Sequence, residues 1–308
     1  MKLIKPSFLI KEQEPDLEGI YKQIEWAGRH CYKSHDKITE NSAKEFVDRM
    51  IKSGHGAVLE HGTVYLRYDF EAKEDSNKIA YWLWSKYNEN KYSESVQAQP
   101  IPGVPNGFVA ITTNYRVLVE NDWLDDLKYL CEPTEYHKKR VCVRFICDRG
   151  ISHEYVRHRV FSFAQESTRY CNYSKDKFNN EITFVIPSWM DFPEISIDLG
   201  NYDKTSVRSK DGNVHIIDTK PPYVEGDFIR SLCEAESNYL SIVRNGWTPQ
   251  QAREVLPLAV KSELISRGFE DAWKNFFYRR CAKDAHPMAQ EIAKPMHKEF
   301  IERGFIDK

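Results

Sequence analysis

The sequence predicts one mixed α+β domain over residues 1–308, an antiparallel sheet core with flanking helices and surface insertions near 71–107 and 188–224. Three observations predict it. The 308 residues are 41% hydrophobic and 13% aromatic, enough to bury a sizeable core. Residues 63–70 and 140–147 alternate as half-buried strands do. Residues 228–245 and 287–303 carry apolar side chains at helical spacing.

In chain order, residues 16–31 place Ile20, Ile24, Trp26 and Ala27 among charges, which suits an amphipathic helix. Residues 39–53 form a second helix, with Thr39 as its cap, Phe46, Val47, Met50 and Ile51 as its apolar face, and Gly54 as its end. The segment His55 to His61 precedes the strand at 63–70. The i, i+6 spacing of the two His does not put them on one helical face, so no metal pair is expected. Residues 79–87 read as a helix, 99–107 as a loop, 108–112 as a short strand and 114–130 as a helix ending before Pro133.

In the strand at 140–147, Val141, Val143 and Phe145 share one face, and Arg140, Cys142 and Arg144 the other. Residues 148–150 turn the chain, and 151–156 read as a short helix or turn. A strand at 182–186 stops at Pro187, and a hairpin is expected around residues 210–213. Gly246 closes the helix at 228–245, and Thr248-Pro249-Gln250-Gln251 is a capping box that opens another. Met288, Ile292, Met296 and Phe300 stripe the last helix.

Several function classes are disfavoured. A pI near 6.6 gives no general bias toward nucleic acid, which would need a value above about 9. No stretch approaches the ~20 apolar residues that span a bilayer, and the amino-terminal residues do not read as a signal peptide. Seven Cys without a CxxC pair suit reduced thiols and a cytoplasmic location. His153-Glu154 followed by His158 is not the HExxH zinc motif, because the second His comes one residue late.

One stretch concentrates chemistry. Between residues 140 and 170, six Arg (140, 144, 149, 157, 159, 169) face three acids (Asp148, Glu154, Glu166) with no Lys, a balance of +3 in a chain whose net charge is −2. Arg forks suit phosphate or carboxylate, and Ser162, Ser167 and Thr168 can donate to the same oxygens. A solvated basic face is the bland reading, but such a face is commonly built with Lys. If residues 157–159 are extended, Arg157 and Arg159 project together and His158 the other way.

Arg157-His158-Arg159, seven residues, then Ser167, followed by Arg169-Tyr170, resembles the signature of the flavin-dependent thymidylate synthases, the ThyX family. His55 to His61 resembles a second family segment. Ala252-Arg253-Glu254-Val255-Leu256-Pro257 resembles a third, and Asn275 to Arg280 followed by Ala289-Gln290-Glu291-Ile292 a fourth. Ala57, Ala164-Gln165 and Phe269-Glu270-Asp271 depart from the family pattern.

The resemblance implies the ThyX-like fold and a homotetramer with active sites between subunits. It implies methylation of dUMP to dTMP, with 5,10-methylenetetrahydrofolate as carbon donor and FAD, reduced by NADPH, as hydride donor. His55, Ala57, Glu60, Arg157, His158, Arg159, Gln165 and Asn275 fall on the cofactor side. Glu154, Arg157, Gln165, Glu166, Ser167, Arg169, Arg253 and Arg280 fall on the substrate side, with Arg280 catalytic and no metal. The chemistry agrees: a dianionic phosphate calls for Arg, and a permanently protonated Arg beside the uracil stabilises its ionised form. The alternative is a relative that binds flavin and nucleotide but has lost methylation.

Overall fold

The computed structural model describes residues 1–71, 73–99, 106–191, 194–197, 204–209, 214–218 and 224–307. The strands are β1 (Lys2–Ile4), β2 (Ser7–Lys11), β3 (Thr63–Glu71), β4 (Glu94–Ala98), β5 (Asn106–Asn114), β6 (Arg140–Asp148), β7 (Ser162–Gln165), β8 (Thr183–Val185), β9 (Ile195–Ile197), β10 (Lys204–Ser209), β11 (Val214–Asp218) and β12 (Lys261–Phe269). The α-helices are α1 (Leu17–Tyr32), α2 (Ser42–Lys52), α3 (Gly56–Leu59), α4 (Glu74–Asn88), α5 (Tyr115–Glu120), α6 (Arg149–Tyr155), α7 (Val224–Arg244), α8 (Pro249–Ala252), α9 (Glu270–Arg280) and α10 (Pro287–Glu302). Among the described residues, no helix is long and apolar enough to cross a membrane.

The expected α+β character and antiparallel pairing hold, with the strands divided among separate sheets. The sheet that carries the site has the order β2-β6-β12-β7. In β6, Val141, Val143, Phe145 and Cys147 face the core formed with α6, α9 and α10, as the alternation predicts. Their neighbours there include Tyr155, Trp273 and Phe276 and the α10 stripe of Met288, Ile292, Met296 and Phe300. The other face of this sheet lies under α1, where Ala27 packs on Cys142, Ala164 and Ile265.

A second sheet, β3-β5-β4, packs against α1, α2 and α4. A third runs β11-β10-β9-β1-β8, with α7 on its β1–β8 end. Its β1–β8 pair is parallel, the exception to an antiparallel pattern among the described residues.

Several local expectations are corrected. The helix expected over 114–130 breaks after Glu120, because Asp122 adopts φ 59° in the left-handed region, and a 3-10 turn follows at Leu124–Tyr129. Thr39 does not cap α2, which starts at Ser42; the Thr39 amide instead donates to Ser42 Oγ at 2.9 Å. The Thr248 box forms, but α8 is one turn long and is followed by a 3-10 turn at Arg253–Val255. Leu256 is then extended before Pro257. Residues 148–150 begin α6 rather than forming a separate turn.

The segment at 71–107 is only partly superficial, since α4 buries Ala80, Leu83 and Tyr87. Residues 100–105 of the expected loop lie outside the described residues. So do residues 210–213 of the expected hairpin, whose flanking strands β10 and β11 pair antiparallel.

β12 is absent from the sequence reading, yet it pairs along its whole nine-residue length with β6. Gly268 lets the Phe161 ring lie against it: a Cβ added there would meet Phe161 Cδ1 at 2.6 Å. The same ring packs edge-on against Trp273 at 4.5 Å, so it cannot retreat freely. Gly268→Ala should therefore destabilise the fold by about 1–3 kcal/mol. The measurement is the urea midpoint at unchanged m-value, and a midpoint equal to the parent's would refute this packing account.

Candidate active site

The site begins at the amino end of α6. Asp148 Oδ1 accepts from the Ile151 amide at 2.8 Å and fixes where the helix starts. Tyr155, buried against Phe145 (4.9 Å) and Phe276 (5.0 Å), anchors its far end. The chain then turns: the His158 amide donates to Tyr155 O, and the Phe161 amide to His158 O, both at 3.1 Å. Residues 157–159 are thus not extended. The predicted segregation survives by another route, since the turn buries His158 and leaves Arg157 and Arg159 exposed.

Arg280, in the last turn of α9, reaches this segment. Its Nε donates to His158 Nε2 at 3.0 Å, its Nη1 to the Glu154 carboxylate at 2.5 Å and its Nη2 to the Glu154 carbonyl at 2.5 Å. The first contact requires His158 Nε2 to be an acceptor, so the ring is neutral with its proton on Nδ1. Burial, then the charges of Arg280 and Arg279, pushes the His158 pKa down to about 4, in agreement. A guanidinium has five N–H groups, so three are committed and two remain.

These residues line a cavity of about 710 Å³ that brings together Glu154, Arg157, His158, Arg159, Asn275 and Arg280. All six were candidates from the sequence. Arg279 and His286 also line it and were not. A further cavity of about 800 Å³ shares Arg159, Val160 and Asn275 with the first and contains Glu60. Glu60 accepts from Arg116 Nη1 at 2.6 Å. Behind it, Arg140 donates to Glu60 O (3.2 Å), Thr63 Oγ1 (3.3 Å) and Ser162 Oγ (3.2 Å). Burial, then repulsion from Arg267, lowers the Arg140 pKa to about 10.

The remaining candidates lie apart from these two cavities. His55 and Ala57 are exposed, at and just after the start of α3. Gln165 Nε2 donates to Ser152 Oγ at 2.7 Å and Ser262 Oγ at 3.0 Å, bracing α6 against β12. Glu166 is buried and accepts from Lys261 Nζ at 2.7 Å. Beside it, burial raises the Glu263 carboxyl, but Lys261 and Lys33 outweigh it and hold the pKa at about 2. The Ser167 amide donates to Cys31 O at 3.0 Å, and Arg253 Nη1 donates to Thr168 Oγ1 at 3.5 Å. Arg169 is exposed, its guanidinium 5.5 Å from the Tyr170 ring centroid.

Burial raises the Cys31 thiol to about 11, the opposite of activation. Among the described residues, no group of three or more His, Cys, Asp or Glu side chains could hold a metal ion.

Comparison with known proteins places this geometry in context. Residues 137–303 match the family described as thymidylate synthase complementing protein. A flavin-dependent thymidylate synthase of Pyrococcus furiosus is 29% identical over 160 residues, which cover 52% of this chain and 53% of that protein. The chain spans about half the length of such relatives. A flavin-dependent thymidylate synthase of Corynebacterium glutamicum is 22% identical over 289 residues, 92% of this chain and 76% of that protein. Among solved structures, the UMP/dUMP methylase PolB from Streptomyces cacaoi bound with 5-Br UMP aligns over 98% of this chain and 91% of that one. It does so at 13% identity and a TM-score of 0.41.

The buried histidines give the protein an acid-sensitive stability. His158, His30 and His61 are held at about 4, 4 and 3, below their ordinary value of 6.5. The unfolded chain therefore binds these protons first as pH falls. Stability from this source is complete above about pH 6.5 and is lost as pH drops toward 4. His158→Gln should remove on the order of 1–3 kcal/mol of that loss. Urea midpoints between pH 7 and 4.5 read it, and parallel profiles for parent and variant would contradict the assignment.

Proposed function

The chain belongs to the thymidylate synthase complementing protein family, and we propose that it is a methyltransferase converting dUMP to dTMP with a bound flavin. In this reading 5,10-methylenetetrahydrofolate supplies the carbon, and the flavin is FAD, reduced by NADPH. The active unit is a homotetramer of single-domain chains. The observation that carries the reading is the Arg280–His158–Glu154 cluster on a cavity shared with Arg157, Arg159 and Asn275.

The residues present fit such a cofactor. Two neighbouring cavities that share Arg159, Val160 and Asn275 in their walls suit a long ligand with aromatic ends and a charged middle. Arg157 and Arg159 are exposed guanidiniums at that level, suited to its phosphates. Asn275 would hold a polar edge of the flavin ring system, and Glu60 a polar group of the adenosine end. When bound, the reduced flavin would supply the hydride.

The chain's own residues do the rest. Arg280 keeps two uncommitted N–H groups on a residue that lines the cavity, available to the O2 and N3 side of a uracil. These oriented N–H groups would stabilise the electron-rich ring that must attack the methylene carbon. His158 accepts from Arg280 Nε while neutral, so it orients the guanidinium without adding a second charge. Glu154 fixes the other end of the fork.

The phosphate of dUMP would be held by Ser167, Arg169 and Arg253. These residues line neither cavity of the same chain, which supports an active site shared between subunits. Glu166 is committed to Lys261 and would act by positioning its neighbours. Gln165 would do the same through Ser152 and Ser262.

Titration of the flavin-loaded protein with dUMP should shift the visible absorbance of the flavin, as expected if both share one pocket. A colourless protein that takes up no added FAD would overturn the reading. Arg280→Ala should lower turnover by about 10²–10³-fold, a much larger change than in stability. Near-parental turnover would remove Arg280 from its role. Arg169→Ala should raise the dUMP dissociation constant about tenfold, the loss of one charge-assisted contact. An unchanged constant would refute that contact.

A further inference from the structure

The residues between α4 and β4 form one wall of the cavity of about 800 Å³, through Lys91, Tyr92 and Glu94. No family motif falls on them. Their bend is fixed by its own hydrogen bonds. Asn90 Oδ1 accepts from the Tyr92 amide at 2.9 Å and from Ser93 Oγ at 3.2 Å, and Ser93 Oγ meets Thr113 Oγ1 of β5 at 2.8 Å. On this fixed bend the Tyr92 ring is 54% exposed. A large aromatic side chain held so open at a cavity wall is a ready stacking surface.

The lining balances Lys91, Arg140 and Arg159 against Glu60, Glu94 and Asp271, and the Lys91 and Arg159 positions suit an anion. Its acids are held in ion pairs: Asp271 and Glu94 share Lys138 at 2.9 and 3.4 Å, and Glu60 pairs with Arg116 at 2.6 Å. Among the described residues, neither Lys91 nor Arg159 has a carboxylate partner. Lys91 Nζ lies 4.8 Å from the Tyr92 ring centroid. The cavity thus offers an aromatic face, an adjacent ammonium and, on the wall it shares with the other cavity, an exposed guanidinium. That is the donor set for a purine nucleotide attached through a pyrophosphate.

We infer that Lys91 and Tyr92 bind the adenosine monophosphate half of FAD, Tyr92 by stacking on the adenine and Lys91 by pairing with the phosphate of that half, and so make the protein select FAD over FMN. This rests on the flavin reading above and assigns a role to the segment near 71–107. The half of FAD that FMN lacks is the half this corner would hold.

The test is titration of the full-length protein with FAD and with FMN, followed by quenching of flavin fluorescence. The parent should bind FAD more tightly than FMN. Tyr92→Ala should weaken FAD by at least about fivefold, the effect of losing one stacked base, and leave FMN within about twofold. Tyr92→Phe should recover most of the loss. Lys91→Ala should weaken FAD and flatten the salt dependence of its binding. Unchanged FAD affinity in Tyr92→Ala, or equal loss for FAD and FMN, would overturn the inference while leaving the flavin reading intact. A parent that takes up neither flavin would overturn both.

Discussion

β6 and β12 face each other from Asp148 opposite Lys261 to Arg140 opposite Phe269. Side chains alternate between faces along both strands, so a slip of one residue would exchange them. With the observed register, Val141, Val143, Phe145 and Leu264 join the apolar core, and Arg140, Arg267, Glu263 and Lys261 fall on the opposite face. The apolar face seats α6 and α9, and those two helices carry Glu154 and Arg280. The turn holding His158 and Arg159 leaves α6 and runs into β7, which pairs with β12. The relative placement of Glu154, His158 and Arg280 is therefore a consequence of one strand register, read out through helices packed on its apolar side.

The polar face is the more demanding half of this arrangement. Arg140 and Arg267 are both buried and repel each other. Taking two guanidiniums out of water costs several kcal/mol each unless their N–H groups are met. Arg267 Nη1 donates to Gln13 Oε1 at 2.5 Å and Thr63 Oγ1 at 2.7 Å, and Arg140 takes Thr63, Ser162 and the Glu60 carbonyl. Those acceptors belong to the amino-terminal segment, the start of β3 and β7. These bonds tie the site sheet to the second sheet, while Arg267 Nε stays buried without an acceptor among the described residues. Glu60 and Ser162, which line the larger cavity, are held in place by the same bonds.

The legible parts of the sequence were those where one period dominates. The β6 alternation and the α10 stripe of Met288, Ile292, Met296 and Phe300 survive intact because one face of each is plainly apolar. β12 was not legible, because Lys261, Glu263 and Arg267 are charged on a face that is nonetheless buried, while Ser262, Ser266 and Gly268 weaken the other face. At 114–130 the apolar spacing was helical, but spacing carries no information about Asp122 entering the left-handed region. In the candidate site, composition singled out Arg157, His158 and Arg159, which line one cavity. Their segregation comes from a turn, which local sequence did not distinguish from an extended run. The contribution of Lys91 and Tyr92 depends on a pairing of β4 with β5, and no local pattern encodes that proximity.

The charge balance around Arg280 bears on how the site would work. Arg280 is paired with Glu154, and His158 is neutral, so the cluster carries no net charge by itself. Its effect on a uracil would come from orientation: two N–H groups fixed by contacts on the opposite edges of the same fork. A guanidinium held on three donors loses little rotamer freedom when the remaining two are used. A preset dipole of this kind needs little reorganisation as charge develops, which is where electrostatic catalysis gains most. Net positive charge must then come from Arg157, Arg159 and Arg279, which line the same cavity. Orientation and attraction are in this way assigned to different arginines, the half-buried one inside the hydrogen-bond cluster and the more exposed ones around it.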